Sequence, residues 1–151
     1  MRRKELEITD RTEIDEIIKS AEVCRLGLSD NGMPYIVPVN FGYTGGIIYI
    51  HCAPKGRKLD ILKENDNVCV EFEGLHELIE SDKACDWTVK YISVIGFGKG
   101  EIVTDPDGKR EGLLAVMSQY SDRGYQFTED ELKTVSIIKI TLTELTGKKR
   151  G

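Results

Sequence analysis

Apolar positions repeat with a helical period near the start of the chain and with a strand period over most of the remainder. Ile14, Ile17, Ile18 and Ala21 recur at i, i+3, i+4 and i+7, and Asp10 with Glu13 three residues on gives a capping signal. The first element is therefore read as a helix whose stripe faces the core. From Val23 to Ser29 the apolar residues Cys24, Leu26 and Leu28 alternate, and Asp30-Asn31-Gly32 follows as a turn. A second strand is read over Pro34 to Tyr43, a second turn over Tyr43-Thr44-Gly45-Gly46, and a third strand from Ile47 to Cys52. Two successive hairpins predict an antiparallel meander. Pro38 has no N–H to give to a ladder, so its strand lies at a sheet edge or carries a bulge. Backbone left unpaired there could hydrogen-bond a ligand.

A helix over Arg57–Glu64 would bury Leu59 with Ile61 or Leu62, and Asn65-Asp66-Asn67 ends it. Val68, Val70 and Phe72 alternate as a fourth strand, and residues 74–86 read as a polar excursion. Trp87 opens a long strand, Thr88 to Val103, with Gly96, Gly98 and Gly100 on one face, where a ligand or another backbone can come close. No helix opens after these glycines, so they are not a nucleotide-binding G-x-G-x-x-G. Asp105-Pro106-Asp107-Gly108 reads as a turn before a helix that runs to about Tyr120 and buries Leu113, Leu114, Val116 and Met117. Thr128 with Glu131 forms a capping box for a short helix, and Val135 to Leu142 closes the chain as a β-branched strand. Roughly six strands, few helices and mostly hairpin connections predict a mainly β (α+β) fold, a small antiparallel barrel with peripheral helices.

Composition narrows the function. A chain of 151 residues is long enough for one domain with a real core, and residues 1–151 are read as a single unit. Its formal charge of −5 argues against nucleic-acid binding, despite basic ends at Arg2, Arg3 and Lys4 and at Lys148, Lys149 and Arg150. No apolar run approaches membrane-spanning length and the polar start lacks a secretory core, so a cytoplasmic protein without membrane contact is expected. The cysteines, Cys24, Cys52, Cys69 and Cys85, form no C-x-x-C pair. Adjacent His51 and Cys52 point to opposite faces of a strand, so neither a zinc site nor a disulfide framework is expected.

The richest segment is residues 47–65. An apolar strand ends at His51 and Cys52, a short loop carries Lys55, and a helix begins at Arg57 and Lys58. The first amides of a helix lack internal partners and its dipole favours negative charge there. The arginine fork fits phosphate oxygens in pairs. The cluster therefore reads as a site for a phosphate-bearing small molecule; a solvated basic surface is the alternative. His51 reads either as a hydrogen-bonded structural residue or as a proton donor.

Taken in order, several motifs resemble the FMN-binding split-barrel family that includes pyridoxamine 5'-phosphate oxidase, most closely its nitroimidazole-resistance branch. They include Arg25-Leu26-Gly27-Leu28, Pro34 through Phe41, Ile48-Tyr49-Ile50-His51, Gly56-Arg57-Lys58-Leu59, Asn67 through Glu71, Ala84-Cys85-Asp86-Trp87, Tyr91 through Gly96 and Leu145-Thr146-Gly147-Lys148. The resemblance implies a six-stranded antiparallel split β-barrel, a homodimer and FMN at the subunit interface. It implies that Arg57 and Lys58 hold the FMN phosphate with Lys55 nearby. It also implies that Val37, Pro38, Val39 and Asn40 run beside the flavin ring, and that His51 and Cys52 lie near it. Ser93 would reach the flavin from the partner, with Trp87 and Tyr91 as further candidates. Gly56 and Asn40 depart from the oxidase's own pattern, which puts its pyridoxal-phosphate pocket in doubt. The activity implied is an FMN-dependent reductase of small electrophiles such as nitroaromatics, with His51 as the catalytic residue. The alternative is a flavin-, haem- or deazaflavin-binding protein without turnover.

Overall fold

A computed structural model describes residues 3–151, with every side chain among them except that of Leu75. Arg2, the first of the basic start, lies outside the described residues. The elements are β1 (Glu7–Ile8), α1 (Arg11–Ser20), β2 (Cys24–Asp30), β3 (Met33–Val39), β4 (Gly42–Thr44), β5 (Ile47–Cys52), α2 (Arg57–Glu64), β6 (Asn67–Ile79), β7 (Thr88–Val103), α3 (Pro106–Tyr120), α4 (Glu129–Lys133) and β8 (Ser136–Arg150). Six strands are long, as the sequence predicts, and β1 and β4 are short additions.

Hydrogen-bonded neighbours run β3-β2-β6-β7-β8-β5-β4, every pair antiparallel, with β1 also on β8. The two edge strands, β3 and β4, are consecutive in the chain and separated only by Asn40 and Phe41. The sheet thus curls until its edges meet at one chain segment without a ladder between them, which makes a split barrel. Pro38 sits on edge strand β3, where its missing N–H breaks no ladder. Both hairpin turns, Asn31-Gly32 (φ 50° and 87°) and Gly45-Gly46 (φ 55° and 89°), take two consecutive left-handed residues. That matches the right-handed twist of the flanking strands.

Leu26, Ile48, Ile50, Val70, Phe72, Val94, Ile138 and Ile140 fill the barrel, and the Phe41 and Phe72 rings lie 5.0 Å apart at 58°. Burying each such side chain contributes about 1.5–3 kcal/mol. Helix α1 packs by the Gly147 end of the barrel and α2 by the Gly100 end. Helices α3 and α4 instead cover part of the outside, burying Tyr49, Leu113, Val116, Leu132 and Ile137 in a second cluster.

Three local expectations are corrected. Residues 74–79 are not a loop: β6 continues to Ile79 through an irregularity between Glu73 and His76. The closing strand extends to Arg150, with a bulge opposite Phe97 and Gly98. Asp105 to Gly108 is the first turn of α3; Asp105 caps it by accepting from the Gly108 N–H at 2.7 Å, with Pro106 in the first turn. At α1 the Asp10 carboxylate does cap, accepting from the Thr12 N–H at 2.9 Å.

Candidate functional site

The site begins where β5 leaves the barrel. Ile48 and Ile50 point inside and Tyr49 packs under α3, so β5 is covered on both faces until His51 emerges exposed. Cys52 turns back against the core, where burial pushes its thiol pKa up and the Lys58 ammonium offsets part of that rise. His51 and Cys52 therefore face apart, as the alternation predicts.

Gly56 heads α2 with φ 148°, in a region glycine favours, and offers no side-chain cap. Its carbonyl accepts from the Leu59 and Asp60 amides at 3.0 and 3.2 Å. Among the described residues no hydrogen bond engages the Arg57 or Lys58 amide. Leu59, Ile61 and Leu62 seat the helix on the barrel end, and a Cβ on Gly100 would come within 2.9 Å of the Leu62 side chain. The three glycines of β7 thus admit the chain's own core: α2 at Gly100, the Thr141 carbonyl at Gly98, and Leu145 with Val70 at Gly96.

Cationic side chains gather at this uncapped start. The Arg57 guanidinium donates from Nη2 to Asp30 Oδ2 at 3.3 Å and lies over the Tyr35 ring, 4.7 Å from its centroid. Lys58 is half-buried and Lys55 exposed, and neither has an ion-pair partner among the described residues. Tyr35 on β3 and Asn40 just past its end stand five residues apart, roughly 16 Å at strand rise. Arg57 marks the Tyr35 end. Asn40 and His51 share the end of the β4–β5 hairpin away from its turn. Val37 and Val39 face the barrel core, Pro38 faces outward, and among the described residues the outer backbone edge of β3 has no strand beside it. The edge ends at Phe41, whose N–H donates to the Tyr120 hydroxyl at 3.0 Å; that hydroxyl donates to the Glu22 carbonyl at 2.8 Å.

Ser93 and Tyr91 lie elsewhere. On β7, Ser93 is six residues beyond Lys99, which pairs with Asn67 at the α2 end. That is roughly 20 Å of strand. Ser93 faces Glu73 and Lys148, while the Tyr91 ring meets the Lys148 ammonium at 5.3 Å. Within one chain neither approaches Arg57. Trp87 precedes β7, half-exposed, donating its indole N–H to the Ser81 carbonyl at 2.5 Å.

Between these regions no described residue covers the outer face of β3, β2, β6 and β7. Register aligns Ile36, Gly27, Cys69 and Phe97 in one row across four strands. With no side chain on Gly27, a groove of about 590 Å³ opens between Ile36, Cys69 and Phe97. Arg25, ion-paired at 3.0 Å to both Glu71 and Glu73, borders it.

This architecture has known counterparts. The profile described as pyridoxamine 5'-phosphate oxidase matches residues 10–149. The chain belongs to that family. A candidate 5-nitroimidazole antibiotic resistance protein from Bacteroides thetaiotaomicron has a similar structure, with TM-score 0.85 and 33% identity over 95% of this chain and 86% of that one. The flavocytochrome of Azotobacter vinelandii shares the fold at TM-score 0.86 and 22% identity, covering 100% of this chain and 72% of that one. So does an FAD- and heme-binding protein of Mycobacterium smegmatis, at TM-score 0.86 and 21% identity over 96% and 74%. An uncharacterized protein of Rhizobium meliloti is 27% identical over 64 residues, so this chain spans 42% of that curated relative's length.

Sequence reasoning found the family's fold and the cationic cluster. It missed Asp30, Tyr35 and Tyr120, which hold Arg57 and the end of β3. Asp30 carried only a turn signal, and no local pattern could tie Tyr120 to Phe41 across 79 residues.

Proposed function

We propose that the chain binds a flavin, specifically FMN, as a homodimer with the flavin at the subunit interface, and works as a reductase of small electrophiles such as nitroaromatics. The observation that carries this reading is the α2 start, where Arg57, Lys58 and two unpartnered amides converge beside the free edge of β3. A terminal phosphate monoester, with close to two negative charges, suits that cluster. Relatives of the same fold bind FAD and heme, which supports a flavin. The roughly 16 Å from Tyr35 along the β3 edge to Asn40 just past it suits an elongated ligand with its phosphate at Arg57 and its ring near Pro38 and Asn40. The bare groove supports a second copy covering this face, and a dimer would let Ser93 and Tyr91 reach the partner's flavin.

When bound, the flavin supplies the hydride chemistry. Arg57, Lys58 and Lys55 hold the phosphate, β3 orients the ring, and His51 delivers a proton or polarises the reducible group. Likeness to the 5-nitroimidazole resistance protein supports the electrophile class.

The test is a flavin titration followed by a reduced nicotinamide. Arg57→Ala with Lys58→Ala should weaken FMN binding by about 100-fold, the loss of a few kcal/mol of charge-assisted bonds. Unchanged affinity overturns the site. His51→Ala should keep FMN and lower turnover; equal loss of cofactor makes His51 a binding residue. The heme-binding relatives also support a second reading, a flavin or haem carrier without turnover. Bound flavin that no donor reduces would decide for it.

A further inference from the structure

We infer that Asp30 and Tyr35 are positioning residues: they orient the Arg57 guanidinium and set the site's preference for a phosphorylated ligand over an unphosphorylated one. This rests on the flavin reading above, and it concerns residues outside the cationic cluster itself.

An unrestrained arginine on a helix start would lose much of its rotamer freedom on gripping an anion. Arg57 is 56% exposed, so little of its own surface restrains it. Two contacts do. The Tyr35 ring, packed against the barrel core, supplies a fixed platform 4.7 Å from the guanidinium carbon and so sets the plane of the group. Asp30 Oδ2 accepts from Nη2 at 3.3 Å and so sets the rotation within that plane. Nε, Nη1 and the second N–H of Nη2 have no partner among the described residues. Nη2 belongs to both two-nitrogen edges of the guanidinium and has one N–H on each, so the edge that Asp30 leaves can still meet phosphate oxygens in pairs.

The backbone places both residues firmly. Asp30 pairs with Met33 across the tight Asn31-Gly32 turn, and Tyr35 pairs with Leu28 two steps inward on the same hairpin. The hairpin tip therefore carries carboxylate and ring together to the start of α2. Asp30, Asp60 and Glu64 also line one polar recess beside Arg57. Their charges repel an anion from that side and leave the side of Lys58 and Lys55 as its approach. Asp30 could instead compete with phosphate for the guanidinium. The geometry favours positioning, because the carboxylate engages one nitrogen through an exposed contact and leaves two others free.

The test compares the dissociation constants of FMN and of riboflavin, which lacks the phosphate, for the full chain and three variants. Asp30→Ala and Tyr35→Leu should each weaken FMN binding about tenfold and leave riboflavin within about twofold. Tyr35→Phe, which keeps the ring, should bind FMN like the unaltered chain. Equal losses for both ligands would mean a merely structural role and overturn the inference. So would unchanged FMN affinity in Asp30→Ala and Tyr35→Leu, or tighter FMN binding in Asp30→Ala. If the unaltered chain binds neither flavin, the flavin reading fails and inorganic phosphate becomes the probe. Phosphate binding with the same dependence on Asp30 and Tyr35 keeps the positioning role, and absence of phosphate binding overturns it.

Discussion

The barrel has two outer faces, and the chain treats them differently. Over β5, the start of β8 and the end of β7, helices α3 and α4 bury Tyr49, Ile137 and Val103 beneath Leu113, Val116 and Leu132. Close fit there depends on glycine: a Cβ on Gly112 would come within 2.6 Å of the Ile137 side chain. Over β3, β2, β6 and β7 no described residue covers the row of Ile36, 68% exposed, and Phe97, 50% exposed. Both faces carry apolar side chains, yet only one is paired with a helix. The covered face holds the fold together, and the open one is the surface proposed above for a second copy.

Removing a side chain from the covered face should do the most damage. Ile137→Ala leaves a cavity between the sheet and α3 and should cost about 2–5 kcal/mol, read from the midpoint of urea unfolding. A loss under about 1 kcal/mol would mean the helices follow the vacated space and are not a rigid cover.

The open face should respond in association rather than in folding. Phe97→Asp should weaken self-association by about 100-fold, close to 3 kcal/mol, in sedimentation experiments. Monomer stability should change by less than about 1 kcal/mol. An unaltered dimer would separate this face from the proposed interface.

A smaller difference should appear in alkali. Burial, helped by the Glu111 carboxylate that accepts from the Tyr49 hydroxyl at 2.8 Å, pushes that phenol from 10.0 up to about 12. The unfolded chain releases the Tyr49 proton first. Stability from this residue is therefore intact below pH 10 and lost as pH rises to about 12, by roughly 1–2 kcal/mol. Burial pushes Cys24 from 9.0 to about 12 with the same sign, so the wild-type decline begins near pH 9. Tyr49→Phe should flatten the portion above pH 10, measured by denaturation at stepped pH; an identical slope would remove Tyr49 as its source.

Elements with strong local signals were legible. Ile47–Cys52, Arg57–Glu64 and Thr88–Val103 fall where periodicity and breakers place them. The second halves of β6 and β8 were not, because their outward positions are polar and irregularities interrupt the alternation. Those strands exist because β7 is long enough to pair with both. The turn reading of Asp105 to Gly108 failed for a different reason. Asp and Pro serve a turn and a helix start equally well, and only the helix that follows chooses between them.

The candidate site divides along the same line. Arg57 and Lys58 were visible because a strand end, a glycine and a helix start lie within a few residues of one another. Asp30 and Tyr35 were invisible as partners of Arg57, because the hairpin that brings them there closes 27 residues earlier.

The sequence by itself determined the meander, the edge position of Pro38, the cationic helix start and the apolar stripes. Each follows from local chemistry, whether a missing N–H, a turn residue or a period of two or near four. Only the tertiary structure decided which stripes are covered and which stay open. It also decided that Arg57 is held from across the hairpin and that Ser93 stands far from it. Covering and distance depend on how the sheet curls and where helices land on it, and a period records which side a residue faces without recording what meets it there.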